Sequence, residues 1–371
     1  MRRVRLGVIG CGGIAQMVHL PLLRDLDDRF EIAALCDLDQ AVVEEVARLY
    51  HAPALYTDWR DLVRADVEAV MVLSGGSHYP QIMGALESGR HVFTEKPMCF
   101  NLREGREIDE AVRASDRTLF VGNHKRYDPA YGYGLQLVRS IEDLRYVQIN
   151  VLHPVDAMYR EHYRIRRGPG LIRAGPIPSP APGEEEALIV RLASEGEEGR
   201  LITEALGAVR SEKRVAYWVM IGSVVHQVNA LRGLLGDPVE VVSTEVWQAG
   251  LCVTSVLRFK PDVRCSLNFI YLPRQKNYAE EYAFFGADTR VRIRFPSPYL
   301  LHTPAPVTVQ RQQAGRLVEE NVIVSYDEAF QLELADFHDC VVSGKRPLTD
   351  STEALADIAC IQQIASKITE P

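Results

Sequence analysis

"VRLGVIGCGGIA", Val4 to Ala15, decides the fold. A short β-rich apolar run ends in glycines and gives way to helix-forming residues, the pattern of a buried parallel strand that turns into a helix. The turn reads G-x-G-x-x-A. Gly10 permits the tight turn, Gly12 lets the backbone approach a pyrophosphate, and Ala15 allows close helix packing. Gly13 and Ile14 open the helix, whose free amides and positive dipole end face the phosphates. Asp37, at the end of "IAALCD", is the second marker. A carboxylate there accepts hydrogen bonds from adenosine ribose hydroxyls and repels a 2′-phosphate. Leu38, Asp39 and Gln40 follow it and bring no cation, so NAD(H) is favoured over NADP(H).

Working outward, strand and helix alternate to about residue 124. "FEIAALCDLD", "AVMVLS", "HVFTEKP" and "TLFVGN" read as strands; "QAVVEEVARLY", "YPQIMGALESG" and "REGREIDEAVRAS" read as helices, and Pro21 interrupts a helix over "IAQMVHLPLLRDL". The alternation predicts a doubly wound parallel sheet, a Rossmann α/β domain over residues 1–124. From Tyr146 the texture changes to longer strands: "YVQINVLH", "ALIVRLAS", "EVVSTEVWQ", "CVTSVLRF", "RCSLNFIYL" and "RVRIRF", with Met220–Leu235 as the main helix. This predicts an α+β domain over residues 125–371, built on a largely antiparallel open sheet. Two C-terminal helices, "FQLELADFHDCVVSG" and "STEALADIACIQQIASKI", are free to pack back on the first domain. Between strands, residues 159–186 carry Arg160, Arg164, Arg166 and Arg167 and then five prolines from Pro169 to Pro182. Such a stretch is an irregular excursion, read either as a cover for an anionic substrate, with Arg164 among its donors, or as a solvated loop or subunit arm.

The 371 residues carry a formal net charge of −8, which speaks against nucleic acid as the main partner. Seven scattered cysteines form no CxxC pair and no Cys/His ligand spacing, so neither a disulfide framework nor a metal is expected, and a reducing cytoplasm fits. The apolar run after "MRRVR" is shorter than the roughly 7–15 residues of an export-signal core. No stretch approaches the roughly 20 apolar residues of a membrane span.

Glu95-Lys96-Pro97 follows the strand "HVFT", where the carboxyl ends of such a sheet meet ligand. An ammonium there, partly desolvated and next to a cationic nicotinamide, is suited to proton transfer. His226 sits at the centre of the apolar stretch "MIGSVVHQVNALRGLLGDP", where it is either a packing residue or a catalytic group. Ser74 and His78, in "VLSGGSHY" at the end of the third long strand, read as cofactor contacts or plain loop residues. In "HKRYDP", Arg126 and Asp128 read as a structural pair at a helix start, and Tyr127 as a cleft or core aromatic.

"GCGGIA", "GRHVFTEKPM", "GNHKRYDPAY", "HQVNALRGLLGDPVEV" and "AFQLELADFHDCVVSGKRPLTDSTEALADI" occur in that order. Together they resemble the glucose–fructose oxidoreductase / inositol dehydrogenase / rhizopine-catabolism (Gfo/Idh/MocA) family across nearly the whole chain. The resemblance implies a hydride exchange between NAD(P) and a hydroxyl of a sugar, cyclitol or related polyol, and a homodimer or homotetramer. By position it implies that Lys96 binds substrate and assists proton transfer, that Glu95 serves the cofactor and the lysine, and that His226 contacts the reacting hydroxyl. The chain departs from the family at Gly222, four residues before the histidine, and at Asn229, three after it, where aspartates are common. Asn229 can still hold the imidazole by a hydrogen bond. Three readings follow: an NAD(H)-dependent dehydrogenase of a polyhydroxylated small molecule, a redox-neutral NAD-using enzyme that cleaves glycosides or epimerises, and a ligand sensor without chemistry.

Overall fold

The computed structural model describes residues 2–155, 160–166, 175–176, 181 and 183–369. By packing, the chain divides into two units. One comprises Met1–His124, Arg160–Pro178 and Phe330–Ala356, the other Lys125–Tyr159, Ser179–Ala329 and Asp357–Pro371.

The first unit is the expected Rossmann sheet. Its strands are β1 (Val4–Ile9), β2 (Phe30–Cys36), β3 (Ala54–Tyr56), β4 (Ala69–Val72), β5 (His91–Glu95) and β6 (Leu119–Gly122). All are parallel, in the order β3-β2-β1-β4-β5-β6. β4 and β6 are buried at every residue, as strands covered on both faces must be. The short β3 was not anticipated. The chain order reverses between β1 and β4, so the carboxyl ends of β1, β4 and β5 frame the crevice where such sheets take ligand. Helices start on side-chain caps: Asp39 accepts from Ala41 N and Val42 N, and Asn101 accepts from Glu104 N at 2.9 Å.

The helix Ala329–Ser343 supplies the core of this unit from the far end of the sequence. Phe337, fully buried, meets Phe93 edge-on at 5.6 Å and Phe120 at 5.7 Å, and stacks with Phe30 at 6.3 Å. Thr349 then pairs with the outer edge of β6, its carbonyl accepting from Val121 N at 2.8 Å and its hydroxyl donating to Val121 O.

The second unit holds β7 (Tyr146–His153), β8 (Glu240–Trp247), β9 (Cys252–Phe259), β10 (Val263–Tyr271), β11 (Ala279–Phe285), β12 (Thr289–Phe295), β13 (Pro306–Gln313) and β14 (Arg316–Ile323), in the order β8-β9-β10-β7-β11-β12-β13-β14. Every neighbouring pair is antiparallel except β7 with β10. β10 alternates buried and half-buried residues along its length, one face inward. The strand expected over "ALIVRLAS" is instead the helix Glu184–Ser194. Ile189 and Ala193, four apart, are its buried positions, and three glutamates fill its first turn, where they complement the helix dipole. That acidic lead, rather than the apolar run, was the informative signal. Two further helices, Gly196–Leu206 and Ser211–Val219, follow where no helix was expected.

Phe337→Ala removes a fully buried ring shared by three other phenylalanines. It is expected to cost about 3–5 kcal/mol, read as a lower midpoint in denaturant at unchanged slope.

Candidate dinucleotide and substrate site

Sequence and geometry agree closely at the glycine turn. Gly10 has φ +93°, and a Cβ there would sit 2.7 Å from Ser74 N. Only glycine fits where β1 and β4 run side by side. A Cβ on Gly12 would meet nothing within 4 Å, so this backbone lies open for the approach of a diphosphate. Helical structure begins at Gly13 and Ile14, and the turn that follows, Ala15–His19, is a π-turn. Asp37 reaches across from β2: one carboxylate oxygen accepts from Cys11 N at 2.8 Å, the other from Asp39 N at 3.0 Å. The carboxylate is thereby locked onto the glycine turn. These features fit a dinucleotide.

At the end of β5, Glu95 is buried and Lys96 half-exposed. His19, delivered by the π-turn and fully buried, donates from Nε2 to Glu95 Oε1 at 2.8 Å. Its ring is held edge-on against Phe93 at 5.4 Å and Phe330 at 5.8 Å. Glu95 Oε2 accepts from Lys96 N at 3.1 Å. Burial works against the Glu95 anion, but the His19 hydrogen bond and charge and the Lys96 charge together hold its carboxyl below the usual range. His19 was not singled out by sequence. The signal available was a lone histidine in an apolar helix, the same signal that drew attention to His226.

Ser74 and His78 stand beside these groups in different roles. His78 is buried, with Nε2 2.6 Å from the Ser74 carbonyl and Nδ1 2.8 Å from both the Glu95 carbonyl and Thr94 Oγ1. Burial pushes its pKa down. Both ring nitrogens are engaged within the fold, so His78 braces the ends of β4 and β5. Ser74 Oγ is buried with no partner among the described residues, which leaves it a hydroxyl to offer.

In the second unit, the stretch that opened the question about His226 begins with a second π-turn, Met220–Val224, followed by the helix Val225–Leu235. π-turns recur at functional sites because they re-aim one side chain. From Val225 to Arg232, His226 alone is not buried. A Cβ on Gly222, inside the π-turn, would meet nothing within 4 Å, so the position is open where the family's aspartate is missing.

Asn229 is 1% exposed, and its Nδ2 donates to Asp357 Oδ2 at 2.7 Å; Asp357 also receives Arg232 Nη1 at 2.6 Å. Asn229 therefore ties its helix to the C-terminal helix Ser351–Ser366 through its Nδ2. Arg126 and Asp128 do not pair: Arg126 donates to Asn229 O and lies against the Tyr131 ring, while Asp128 caps the helix Pro129–Arg139 through Ala130 N at 2.7 Å. Tyr127 sits half-buried in the turn between them. Next to His226, Gln227 donates to Glu280, which also pairs with buried Lys125 at 3.2 Å and accepts from Tyr278, a network no sequence signal announced.

Arg164 is exposed in a two-residue strand paired with Gly175–Pro176. Arg166, two residues on, exchanges two hydrogen bonds with Gln16 of the π-turn, at 2.6 and 2.9 Å. Met1, residues 156–159, 167–174, 177–180, 182 and 370–371 lie outside the described residues, as do Arg167 and four of the five prolines. All seven cysteines are free and buried, and among the described residues no group of three or more His, Cys, Asp or Glu side chains could hold a metal.

An open glycine turn, an acid held at the end of β2 and a strand order that reverses beside them are the features of a dinucleotide-binding Rossmann fold. Residues 4–123 match the family described as "Oxidoreductase family, NAD-binding Rossmann fold" (GFO_IDH_MocA). The inositol 2-dehydrogenase/D-chiro-inositol 3-dehydrogenase of Shouchella clausii is 37% identical over 143 residues, 38% of this chain and 40% of that protein. An inositol 2-dehydrogenase of Paracoccus denitrificans is 35% identical over 133 residues, 34% and 39% of the two chains. These matches thus span about two fifths of the relatives' length. Over the whole chain the fold is that of an oxidoreductase from Thermotoga maritima (TM-score 0.73, 22% identity, 99% and 97% of the chains covered) and of a 3-ketoreductase from Actinomadura kijaniata solved with NADP (0.73, 17%, 100% of each). Residues 4–123 thus match that family's NAD-binding domain, and the whole chain shares the fold of these oxidoreductases.

Burial raises the Asp128 carboxyl to about 6. A folded-state pKa above that of the unfolded chain stabilises the protein below the unfolded value, about 4, and the contribution is lost as pH rises through 6. Asp128→Asn keeps the capping oxygen and cannot ionise. Its melting temperature is expected to lose this decline between about pH 4 and 6, and to equal or exceed wild type at pH 7.

Proposed function

We propose that the chain is an NAD(H)-dependent oxidoreductase that moves a hydride between nicotinamide and a secondary hydroxyl or keto group of a cyclitol, sugar or sugar derivative. The observation that carries this reading is the Glu95–Lys96 end of β5, with its carboxylate pinned by His19 and the lysine side chain half-exposed. Gly10, Gly12, Gly13, Ile14, Asp37 and Ser74 hold the cofactor in this account. Bound NAD supplies the acceptor for the hydride that the alcohol carbon loses. Lys96 takes the hydroxyl proton in oxidation and returns it in reduction, and partly exposed His226 contacts the reacting oxygen. Tyr127 and Arg164 remain substrate contacts of the same proposal. The names of the inositol dehydrogenase relatives support a cyclitol as substrate.

Asp37 supports NAD over NADP, because its fixed carboxylate opposes a 2′-phosphate and Leu38, 92% exposed, leaves no cation beside it. The sheet edges β8 and β14, with exposed Leu317 and Ile323 on the latter, support a homo-oligomer. The buried free thiols support a cytoplasmic location. Among the described residues, no helix is long and apolar enough to cross a membrane.

The test is NADH formation from NAD with a panel of cyclitols, aldoses, uronic acids and nucleotide sugars. One substrate is expected to produce NADH. Lys96→Ala should lower kcat by about 10²–10⁴ while leaving NADH binding, read by fluorescence, within a few-fold. NADH is expected to bind at least about tenfold tighter than NADPH, a gap of roughly 1.4 kcal/mol. Asp37→Ser should narrow it. No NADH from any substrate, with NAD bound, would contradict a net dehydrogenase.

A further inference from the structure

Glu333 lies on the helix Ala329–Ser343 between Phe330 and Phe337, on the face that packs into the core of the first unit. It is 0% exposed, and neither carboxyl oxygen has a hydrogen-bond partner among the described residues, the backbone amide of Asn123 being near enough only to ease the burial. A carboxyl group buried in this way is costly, and core packing alone would favour leucine or methionine. The question is what it faces.

The sheet register and the aromatic contacts answer it. Glu95 ends β5 opposite Gly122 of β6, and Asn123 follows directly. A Cβ on Gly122 would sit 3.5 Å from Glu95 Cδ, so that carboxyl packs beside the start of the Gly122–Asn123 turn. Phe330, one turn before Glu333, touches the ring of His19, which holds Glu95. Phe330 on His19 and Phe337 on Phe93 thus bring this helix to the end of β5, and Glu333, one turn from each, is near enough to Glu95 to interact electrostatically. The other titratable or charged groups around them are His19 from the π-turn, His78 before the helix Tyr79–Glu87, Lys96 after β5, and Asp336 on the helix that carries Glu333.

We propose that Glu333 and Glu95 form a carboxyl pair that carries one negative charge next to Lys96, with Glu95 held by His19, and that Glu333 is a positioning residue that keeps one charge there when Glu95 is neutral. Two like charges in so dry a space are strongly disfavoured, so one group ionises and the other keeps its proton. Glu95 has the His19 hydrogen bond and the Lys96 charge, and is the anion. Burial and the Glu95 charge push the Glu333 carboxyl well up, in accord with that division. The pair matters for chemistry because Lys96 must both hold and release a proton, and the charge beside it sets how readily it does so. This function of the pair rests on the reading of Lys96 as the proton-transfer group.

Infrared spectroscopy of the whole protein reads the pair without substrate. At pH 7 the wild type should show the carbonyl stretch of a buried carboxylic acid that is absent from Glu333→Gln and present in Lys96→Ala. In Glu95→Gln the same band should titrate at a pH lower by one unit or more, because the repelling charge is gone and Glu333 takes it over. No band difference between wild type and Glu333→Gln at pH 7, or a titration unmoved in Glu95→Gln, overturns the pair. If Glu333→Gln does not fold, the wild-type and Glu95→Gln titrations decide alone. In carbonyl reduction, the alkaline limb of kcat should lie about one pH unit lower in the double variant Glu95→Gln/Glu333→Gln than in Glu95→Gln, since only the double variant has no charge left to keep the proton on Lys96. Coincident limbs would show that the pair does not act on Lys96. A wild type without hydride transfer contradicts the proposed function, and the infrared result still decides the pair.

Discussion

The hydrogen bond from His19 to Glu95 joins the two ends of the dinucleotide site. His19 comes from the π-turn that follows the glycine loop, and Glu95 precedes the lysine at the end of β5. One bond therefore sets both the start of the first helix and the loop that presents Lys96. It is possible only because the π-turn rotates His19 inward and because Phe93 and Phe330 clamp the ring from two sides. In this dry setting a charge-assisted bond is roughly twice as strong as a neutral one, and its loss would leave a buried anion uncompensated. Phe330 belongs to a helix more than 300 residues away in sequence from His19, so the site exists only once the C-terminal segment has returned to the first sheet.

The second unit uses the same logic with other residues. Asp357 gathers Asn229 and Arg232, and Glu280 gathers Gln227, Lys125 and Tyr278. Both networks fix the helix Val225–Leu235 along its buried face and leave His226 as the one residue from Val225 to Arg232 that is not buried. Networks of this kind are strong only when fully paired, and they hold a side chain in one orientation at little further entropic cost.

The cofactor half was legible because its requirements are local: a glycine where a Cβ would strike Ser74, another where the backbone must lie bare, and an acid at the next strand end. The strands of the first sheet were legible because burial on both faces leaves continuous apolar runs. What sequence could not reveal depends on long-range partners. Asn229 and His78 carry the polar groups expected of ligand contacts, yet Asp357 and the Glu95 carbonyl claim them. Glu333 looks like an ordinary helix glutamate until the fold buries it with both carboxyl oxygens unpartnered among the described residues. The helix over "ALIVRLAS" was misread because a short apolar run has no period of its own, and only the glutamates before it favour a helix.

The central claim is that the His19–Glu95 bond holds Lys96 in its working position. The most direct test is the single-turnover rate of hydride transfer in His19→Ala, measured beside NADH affinity in the same protein. The account predicts a rate lower by about 10²-fold, the scale of a misplacement near 1 Å, with NADH affinity changed by no more than a few-fold. A rate equal to wild type in a folded His19→Ala protein would contradict it.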